Sequence, residues 1–186
     1  MKSTQPDQGD ARARLLAAGG RAFRSSGYGG AGIDGLAKDA GLTSGAFYAH
    51  FDSKAEAFEI VVADGFKPLV AAIGAFQERH GRGWLGPFVD FYLVELGGSE
   101  LCDACVLPML SGDVARSRPS TRAAYAEHFG RVVAALAQGF RGERARDRAH
   151  ALVSILAGAA MLRRALPDEQ ARQAVLDGAR AAARVL

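Results

Sequence analysis

The segment of residues 33–54 constrains the fold of this chain more than any other stretch. Its apolar residues recur at helical spacing over residues 33–40, which predicts a short helix. Gly41 then predicts a tight turn, and Thr43 is a suitable N-cap for a second helix. Two short helices joined in this way can place the second one in the major groove of DNA. The segment therefore predicts a helix-turn-helix.

The rest of the chain is also expected to be helical, because Ala, Leu, Arg and Glu dominate and no run alternates as a strand would. A first helix is predicted over residues 11–25, where a glycine-rich stretch ends it. A long fourth helix is predicted over residues 54–79, opened by a capping box at Ser53 and kinked near Gly65 by Pro68. The remaining helices are expected over residues 84–96, 106–116, 120–140, 144–166 and 168–186.

Composition argues against a membrane protein and gives only weak support for a nucleic-acid partner. The 186 residues are 49% hydrophobic, which is enough for a sizeable core. The longest apolar run, residues 151–162, is too short to span a bilayer, and the first residues show no secretory signal. We therefore expect a soluble, cytoplasmic protein with no membrane partner. The net charge is +3, which is too mild to indicate DNA binding by itself.

Several motifs occur in an order that is typical of one family of regulators. They are the apolar set of helix one ending in Phe23, the Gly27-Tyr28 break, the Ile-x-x-Leu-Ala-x-x-Ala-Gly-Leu-Thr segment of residues 33–43, the Gly-x-Phe-Tyr-x-His-Phe segment from Gly45, and the Ser-Lys-x-Glu start at Ser53. Over residues 11–60 the chain resembles the TetR family of one-component transcription regulators.

The resemblance implies an all-α protein of two parts. Residues 1–53 would form an N-terminal three-helix helix-turn-helix DNA-binding domain, and residues 54–186 a helical effector-binding and dimerisation domain. It implies a homodimer that acts as a repressor on a palindromic double-stranded operator and is released by a small apolar or amphipathic effector. No cofactor, no metal and no enzymatic activity are implied.

The resemblance also assigns DNA contacts to residues around the second helix of the motif. Ser44 stands at the start of that helix, where side chains reach base edges. Tyr48, His50 and Lys54 would contact phosphates, which set register rather than sequence choice. Ala46 stands where many relatives carry a longer polar side chain, so we expect thymine methyl contacts and DNA shape to contribute. The expected DNA-contacting residues are Lys38, Thr43, Ser44, Gly45, Ala46, Tyr48, His50 and Lys54.

Large apolar residues are concentrated in the middle of the chain, where most would serve as core. The resemblance places a small-molecule pocket there, between helices four to seven. Ligand sites in helical bundles are mostly apolar with few polar groups. Tyr92 and Tyr125 are expected to orient the ligand, because buried hydroxyls need partners. The expected lining residues are Phe66, Phe88, Phe91, Tyr92, Met109, Leu110, Tyr125 and Phe129.

The last two helices are expected to form the dimer interface. Residues 151–162 are apolar almost all round, which is more than one flank of a small domain can bury. The alternative is an intramolecular core helix. The expected interface residues are Leu152, Ile155, Leu156, Ala159, Leu162, Val175, Ala179 and Ala182.

Both cysteines, Cys102 and Cys105, lie in one Cys-x-x-Cys sequence. A zinc site would need further ligands, and the four histidines are scattered along the chain. One alternative is a thiol-based, redox-sensing repressor, in which a helix start at Cys105 lowers the thiol pKa while Asp103 raises it. Buried, unreactive cysteines are a second alternative. A third is a helical redox enzyme, which would lack salt-sensitive DNA binding.

Overall fold

The computed structural model describes residues 8–186, and every regular element in this range is helical. The expected all-α fold with an N-terminal helix-turn-helix is thereby confirmed. The α-helices are α1 Gln8–Gly30, α2 Ile33–Asp39, α3 Ser44–Tyr48, α4 Lys54–Asp64, α5 Lys67–His80, α6 Leu85–Asp90, α7 Val106–Ala115, α8 Pro119–Gly139, α9 Ala145–Ala165 and α10 Glu169–Arg184. A π-helical turn, Phe91–Leu96, extends α6, and short 3₁₀ turns occupy Gly81–Gly83 and Leu101–Asp103.

Helix α1 changes direction at Gly27, whose φ of 70° is left-handed. Glycine adopts this conformation without steric conflict. A Cβ atom at this position would also lie 3.2 Å from Asp113 Oδ2 in α7. The predicted glycine break is therefore present, and it brings the end of α1 against the C-terminal part of the chain.

Local hydrogen bonds and two buried rings build the helix-turn-helix. Thr43 Oγ1 accepts the amide of Ala46 at 3.2 Å, so the predicted N-cap of α3 is confirmed. Gly41 has a φ of +67°, which explains why the turn between α2 and α3 carries glycine. Phe47 and Phe51 are buried and anchor α3 beneath α1 and α2. The short helix α3 therefore owes its position to its neighbours rather than to its own length.

The predicted long fourth helix is wrong in one respect, because it is two helices. Helix α4 ends at Asp64 and α5 begins at Lys67, with Pro68 in the first turn of α5. Proline is well tolerated there, because the first-turn amides have no partner within the helix. Pro68 therefore begins a new helix instead of kinking a continuous one.

Close packing against α7 accompanies the junction of α4 and α5. A Cβ atom on Gly65 would lie 2.2 Å from Cγ1 of Val106 at the start of α7. The chain can pass Val106 at this point only because residue 65 has no side chain.

The apolar core is continuous from the helix-turn-helix into the C-terminal helices. Helices α8, α9 and α10 pack in sequence, and α1 contacts α4 and α7. Trp84, the residue before α6, attaches the start of this helix to the end of α8, because its Nε1 donates to the carbonyl of Gly139 at 3.0 Å. Within residues 8–186, no helix is long and apolar enough to cross a membrane.

Candidate nucleic-acid interface and regulatory sites

The outer face of α3 presents the residues that the sequence assigns to DNA. Thr43, Gly45 and Tyr48 are exposed, and Ser44 and Ala46 are half-buried. Tyr48 is 59% exposed, although Phe47 beside it is fully buried. A large ring left in solvent beside a packed one gives this short helix a surface that can contact a partner. Lys38 is exposed on α2, and His50 is half-buried just after α3.

Ser44 is fixed by a neighbour on α2. Its hydroxyl donates a hydrogen bond to the carboxylate of Asp34. This bond orients the hydroxyl oxygen as an acceptor, so Ser44 can read a base donor without breaking its contact with α2. The carboxylate also adds one negative charge near the proposed DNA face.

Lys54, which is predicted to contact a DNA phosphate, already makes several contacts within its own chain. Its ammonium donates to the carbonyls of Tyr28 at 2.9 Å and Ala31 at 3.0 Å, and it lies 4.4 Å from the centre of the Tyr28 ring. These contacts fasten the end of α1 to the start of α4. An ammonium has three donors, so one N–H remains for a phosphate.

Arg14 is a positioning residue that the sequence did not reveal. The helical spacing of α1 predicts that Arg14 points away from the apolar side of the helix into solvent. In the structure its guanidinium donates to the carbonyl of Ala40, and Nη2 lies 3.5 Å from the carbonyl oxygen of Gly41. A cation at the C-terminal end of a helix is favourable because it satisfies the unpaired carbonyls there. Arg14 thus sets the direction in which α2 enters the turn. The sequence shows only that Arg14 lies off the apolar side of α1, which does not indicate a contact with α2.

The eight residues predicted to line an effector pocket lie wholly or partly in the interior. Phe66, Phe88, Tyr92 and Leu110 are buried, whereas Phe91, Met109, Tyr125 and Phe129 are half-buried. Other residues line the best-formed cavities of the described surface, so the effector pocket among these eight stays a prediction.

The two predicted orienting tyrosines are in different states. Tyr125 donates to the carbonyl of Leu107 at 2.9 Å, and burial together with the nearby Cys105 raises its pKa to about 12. Burial and Cys105 also raise the pKa of Tyr92. The Tyr92 hydroxyl has no well-formed hydrogen bond to any of residues 8–186. The buried Tyr92 hydroxyl interacts with the thiol of Cys105, which raises the pKa of Tyr92 and lowers that of Cys105.

The cysteines occupy the connection before α7. Cys105 is the residue immediately before α7, as expected, but burial raises its thiol pKa and outweighs the amide of Leu107, Tyr92 and Arg24, which act in the opposite direction. The expectation of a lowered pKa is therefore wrong. Both thiols are free, and no group of His, Cys, Asp and Glu within residues 8–186 is arranged to hold a metal ion.

One contact joins the cysteine segment to the DNA-binding part. Arg24 on α1 donates to the carbonyl of Cys102 at 3.3 Å. Burial lowers the pKa of Arg24, against the opposing effects of Cys105, Asp103 and Cys102. The residue nevertheless keeps its charge, because guanidinium groups do not deprotonate in proteins.

The predicted dimer face needs a correction, because half of its residues point into their own chain. Leu152, Leu156, Ala159 and Ala179 are buried between α9, α10 and the rest of the bundle. Ile155, Val175 and Ala182 are half-buried, and Leu162 is 57% exposed. Burial between two packed helices therefore accounts for much of the apolar character that indicated an interface. The outer face of the two helices is formed by Ser154, Gly158, Met161, Leu162 and Ala165 on α9, by Ala174, Gly178 and Ala181 on α10, and by Val185 just after α10.

A known protein family matches the part of the chain that contains the helix-turn-helix. Residues 15–61, which contain most of α1 and all of α2 and α3, match the model described as bacterial regulatory proteins, tetR family. This stretch of the chain is therefore similar to the N-terminal region of TetR-family regulatory proteins, and α2 and α3, which form the helix-turn-helix, lie within it. No curated protein matches the chain by sequence.

Solved structures extend the TetR likeness to the whole fold. The TetR-family regulator from Cytophaga hutchinsonii superposes with a TM-score of 0.81 at 15% identity, covering 100% of this chain and 98% of that one. SCO4454 from Streptomyces coelicolor gives 0.77 at 20% identity, with 95% and 96% covered. The reduced form of NemR from E. coli gives 0.77 at 21% identity, with 91% and 95% covered. At these identities the likeness establishes the fold, while effector and operator differ freely on one scaffold.

Proposed function

We propose that this protein is a homodimeric repressor that binds a palindromic operator through α3 and is released by a small molecule. The observation that carries the proposal is the exposed ring of Tyr48 on a capped helix whose other side is fixed by buried phenylalanines. Recognition helices of this geometry enter the major groove. The absence of a membrane-spanning helix from residues 8–186 agrees with an activity in the cytoplasm.

The proposed DNA surface combines backbone approach with a few cations. Gly45 has only the Thr43 side chain near the position of a Cβ atom, so the α3 backbone can come close to a groove edge. Ser44 and Ala46 would face bases, and Lys38, Thr43, Tyr48, His50 and Lys54 would contact phosphates. Since phosphate contacts dominate affinity, the binding constant should fall steeply with salt.

Fluorescence anisotropy with DNA from upstream of the protein's own gene tests this surface. Tyr48→Ala and Lys38→Ala should weaken binding to all sequences alike, and Lys38→Ala should reduce the salt slope by about 1 per protomer. Lys67→Ala is the matched control, because Lys67 is an exposed lysine that pairs with Asp64 at the α4–α5 junction, outside the helix-turn-helix. An equal loss in Lys67→Ala would contradict the assignment of DNA contacts to α2 and α3.

The dimer is proposed to form through the outer face of α9 and α10. Met161 is 50% and Leu162 57% exposed on α9, and Val185 is 84% exposed just after α10. Gly158 and Gly178 have open space around them, which allows two helix pairs to approach closely. A two-fold interface of this kind would set the two α3 helices about 34–36 Å apart, the spacing of successive major grooves.

Analytical ultracentrifugation tests the interface with a matched pair of variants. Leu162→Glu should give monomers, because a charge would be buried without a partner. Ala75→Glu places the same charge on the exposed side of α5 and should leave the dimer intact. A dimeric Leu162→Glu protein would rule out this face.

Oxidation of the cysteine pair is the second candidate signal. It is favoured by the Arg24 contact, which connects the Cys102 carbonyl to α1. It is opposed by the raised pKa of Cys105, because the thiolate is the form that reacts with peroxide. DNA binding measured before and after mild peroxide, with the Cys105→Ser variant as control, separates the two signals. Binding that is lost in the wild type and retained in Cys105→Ser would make the thiol the sensor.

A further inference from the structure

A cleft of about 510 Å³ lies where the DNA-binding part meets the C-terminal bundle. The end of α1, the start of α4, the end of α7 and the start of α8 enclose it. Its volume is within the range of roughly 300–1,000 Å³ that is typical of small-molecule sites. None of the residues predicted to line an effector pocket contributes to it, so it is a separate site.

One wall of the cleft is apolar and aromatic. Tyr28 and Ala55 are half-buried, and Phe58 is fully buried beneath them. The rings of Tyr28 and Phe58 meet edge to face, with centroids 5.0 Å apart. An aromatic ring placed in the cleft could extend this cluster, since edge-to-face and offset contacts are favourable.

The opposite wall carries two guanidinium groups. Arg116 contacts Asp113 at 3.1 Å and Arg118 contacts Glu59 at 3.2 Å, so each spends only part of its donors inside the chain. A guanidinium has five N–H donors, which leaves several on each residue for an incoming group. Asp113 is the single carboxylate of the lining, and both of its oxygens already accept hydrogen bonds, from Arg116 and from the amide of Tyr28. The free hydrogen-bonding capacity of the wall is therefore cationic and suits a carboxylate.

We propose that this cleft binds a small aromatic monocarboxylate. Its ring would lie against Tyr28 and Phe58, and its carboxylate would accept hydrogen bonds from Arg116 and Arg118. A neutral ring would lose the ionic contacts, and an inorganic anion would lose the aromatic wall, so both halves of the ligand are needed.

The cleft has a direct connection to the DNA surface through Tyr28. The amide of Tyr28 donates to Asp113 at 3.1 Å, and its carbonyl accepts from Lys54 at 2.9 Å. The Tyr28 ring also supports the Lys54 ammonium. A ligand that displaces Tyr28 therefore moves a residue proposed to contact phosphate. This regulatory consequence rests on the proposed function, whereas binding in the cleft does not.

Isothermal titration calorimetry of the full chain tests the binding step with benzoate and phenylacetate as probes. At least one of them should bind with one site per chain, and benzamide and inorganic phosphate should bind at least tenfold more weakly. Arg116→Glu should weaken binding of the carboxylate at least tenfold. Arg122→Glu makes the same charge change at an exposed position of α8 outside the cleft lining and should have no effect. Ala55→Leu, which fills the apolar wall, should also abolish binding while circular dichroism shows a native helix content.

Three results would overturn the inference: neither carboxylate binds, benzamide binds as tightly as benzoate, or Arg116→Glu and Arg122→Glu behave alike. DNA binding is measured separately, with and without the bound carboxylate. The carboxylate should weaken DNA binding of the wild type and leave Arg116→Glu unaffected. A chain that binds the carboxylate but no DNA would refute the proposed function and leave the cleft assignment intact. A chain that binds DNA but neither carboxylate would refute the cleft assignment and leave the proposed function intact.

Discussion

Two helix-to-helix connections in this protein each depend on a glycine, but for different physical reasons. At the turn between α2 and α3, Gly41 has a φ of +67°, a backbone conformation that L side chains rarely adopt. At the junction of α4 and α5, Gly65 has an ordinary helical φ of −67°, and the constraint comes from Val106 on another helix. The first requirement is local and visible in the sequence, whereas the second is created by the tertiary packing.

The largest effect is expected from Gly65→Ala. The added methyl would lie 2.2 Å from Val106 Cγ1 and 3.0 Å from the carbonyl oxygen of Val61, so α4 and α7 have to move apart. Overpacking of this kind destabilises by about 1–3 kcal/mol. Urea unfolding measures the loss, and the double variant with Val106→Ala should recover part of it. Additive losses in the double variant would show that Val106 is not the cause.

Gly41→Ala should destabilise by about 1–2 kcal/mol through the positive φ. The Arg14 guanidinium, 2.6 Å from the position of a Cβ atom, adds a conflict that a flexible side chain can relieve by moving. Gly41→Asn should lose less stability than Gly41→Ala, because asparagine tolerates the left-handed region. Thermal unfolding of the two variants tests this order. An equal loss in both would place the constraint in the Arg14 contact instead of the backbone.

Glu59→Gln tests a contact between α4 and the start of α8, which are distant in the sequence. The substitution should lower the free energy of unfolding by about 1 kcal/mol. Burial opposes ionisation of Glu59, but the hydroxyls of Ser120 and Thr121 and the guanidinium of Arg118 outweigh it and lower the Glu59 pKa. The stabilisation is therefore complete above the ordinary pKa of 4.5 and is lost as the pH falls through the folded value.

The pH dependence of urea unfolding checks the role of Glu59. The stability difference between the wild type and Glu59→Gln should shrink as the medium becomes acidic. A difference that stays constant down to pH 3 would mean that the charge of Glu59 contributes nothing to the contact.

The smallest effect is expected from Pro68→Ala. Pro68 lies in the first turn of α5, where its fixed φ restricts the unfolded chain, so its removal should change stability by less than about 1 kcal/mol. The α4–α5 break should persist, because the Gly65–Val106 contact remains. Urea unfolding and helix content by circular dichroism test both points. A marked gain in helix content would show that proline itself separates the two helices.

These two connections also show how far the sequence alone defines the protein. The cap at Thr43 and the turn at Gly41 depend on neighbours within a few residues, so the spacing of residue types predicts them. The need for glycine at residue 65 depends on Val106, which is distant in the sequence, and at this junction a proline rule predicted a kink where the structure has two helices. Caps and turns that depend on nearby residues can therefore be predicted from the sequence, whereas packing between distant residues cannot.

The candidate sites follow the same division. The exposure of Tyr48 was predictable, because it sits beside two core residues on a short helix. The direction of Leu152 and Leu156 was not, because an apolar helix can face its own bundle or a partner equally well. The cleft lined by Tyr28 and Arg116 joins segments far apart in the chain, so no sequence pattern indicates it.

The role of α3 in DNA binding is tested most directly by the affinity of the protein for a broad pool of genomic DNA fragments across a salt series, for the wild type and Tyr48→Ala. We expect selective binding to a small set of palindromic fragments, an affinity that falls steeply as salt rises, and a general weakening in Tyr48→Ala. Absence of binding at low salt, or affinity unchanged by Tyr48→Ala, would contradict the assignment of α3 as the helix that contacts DNA.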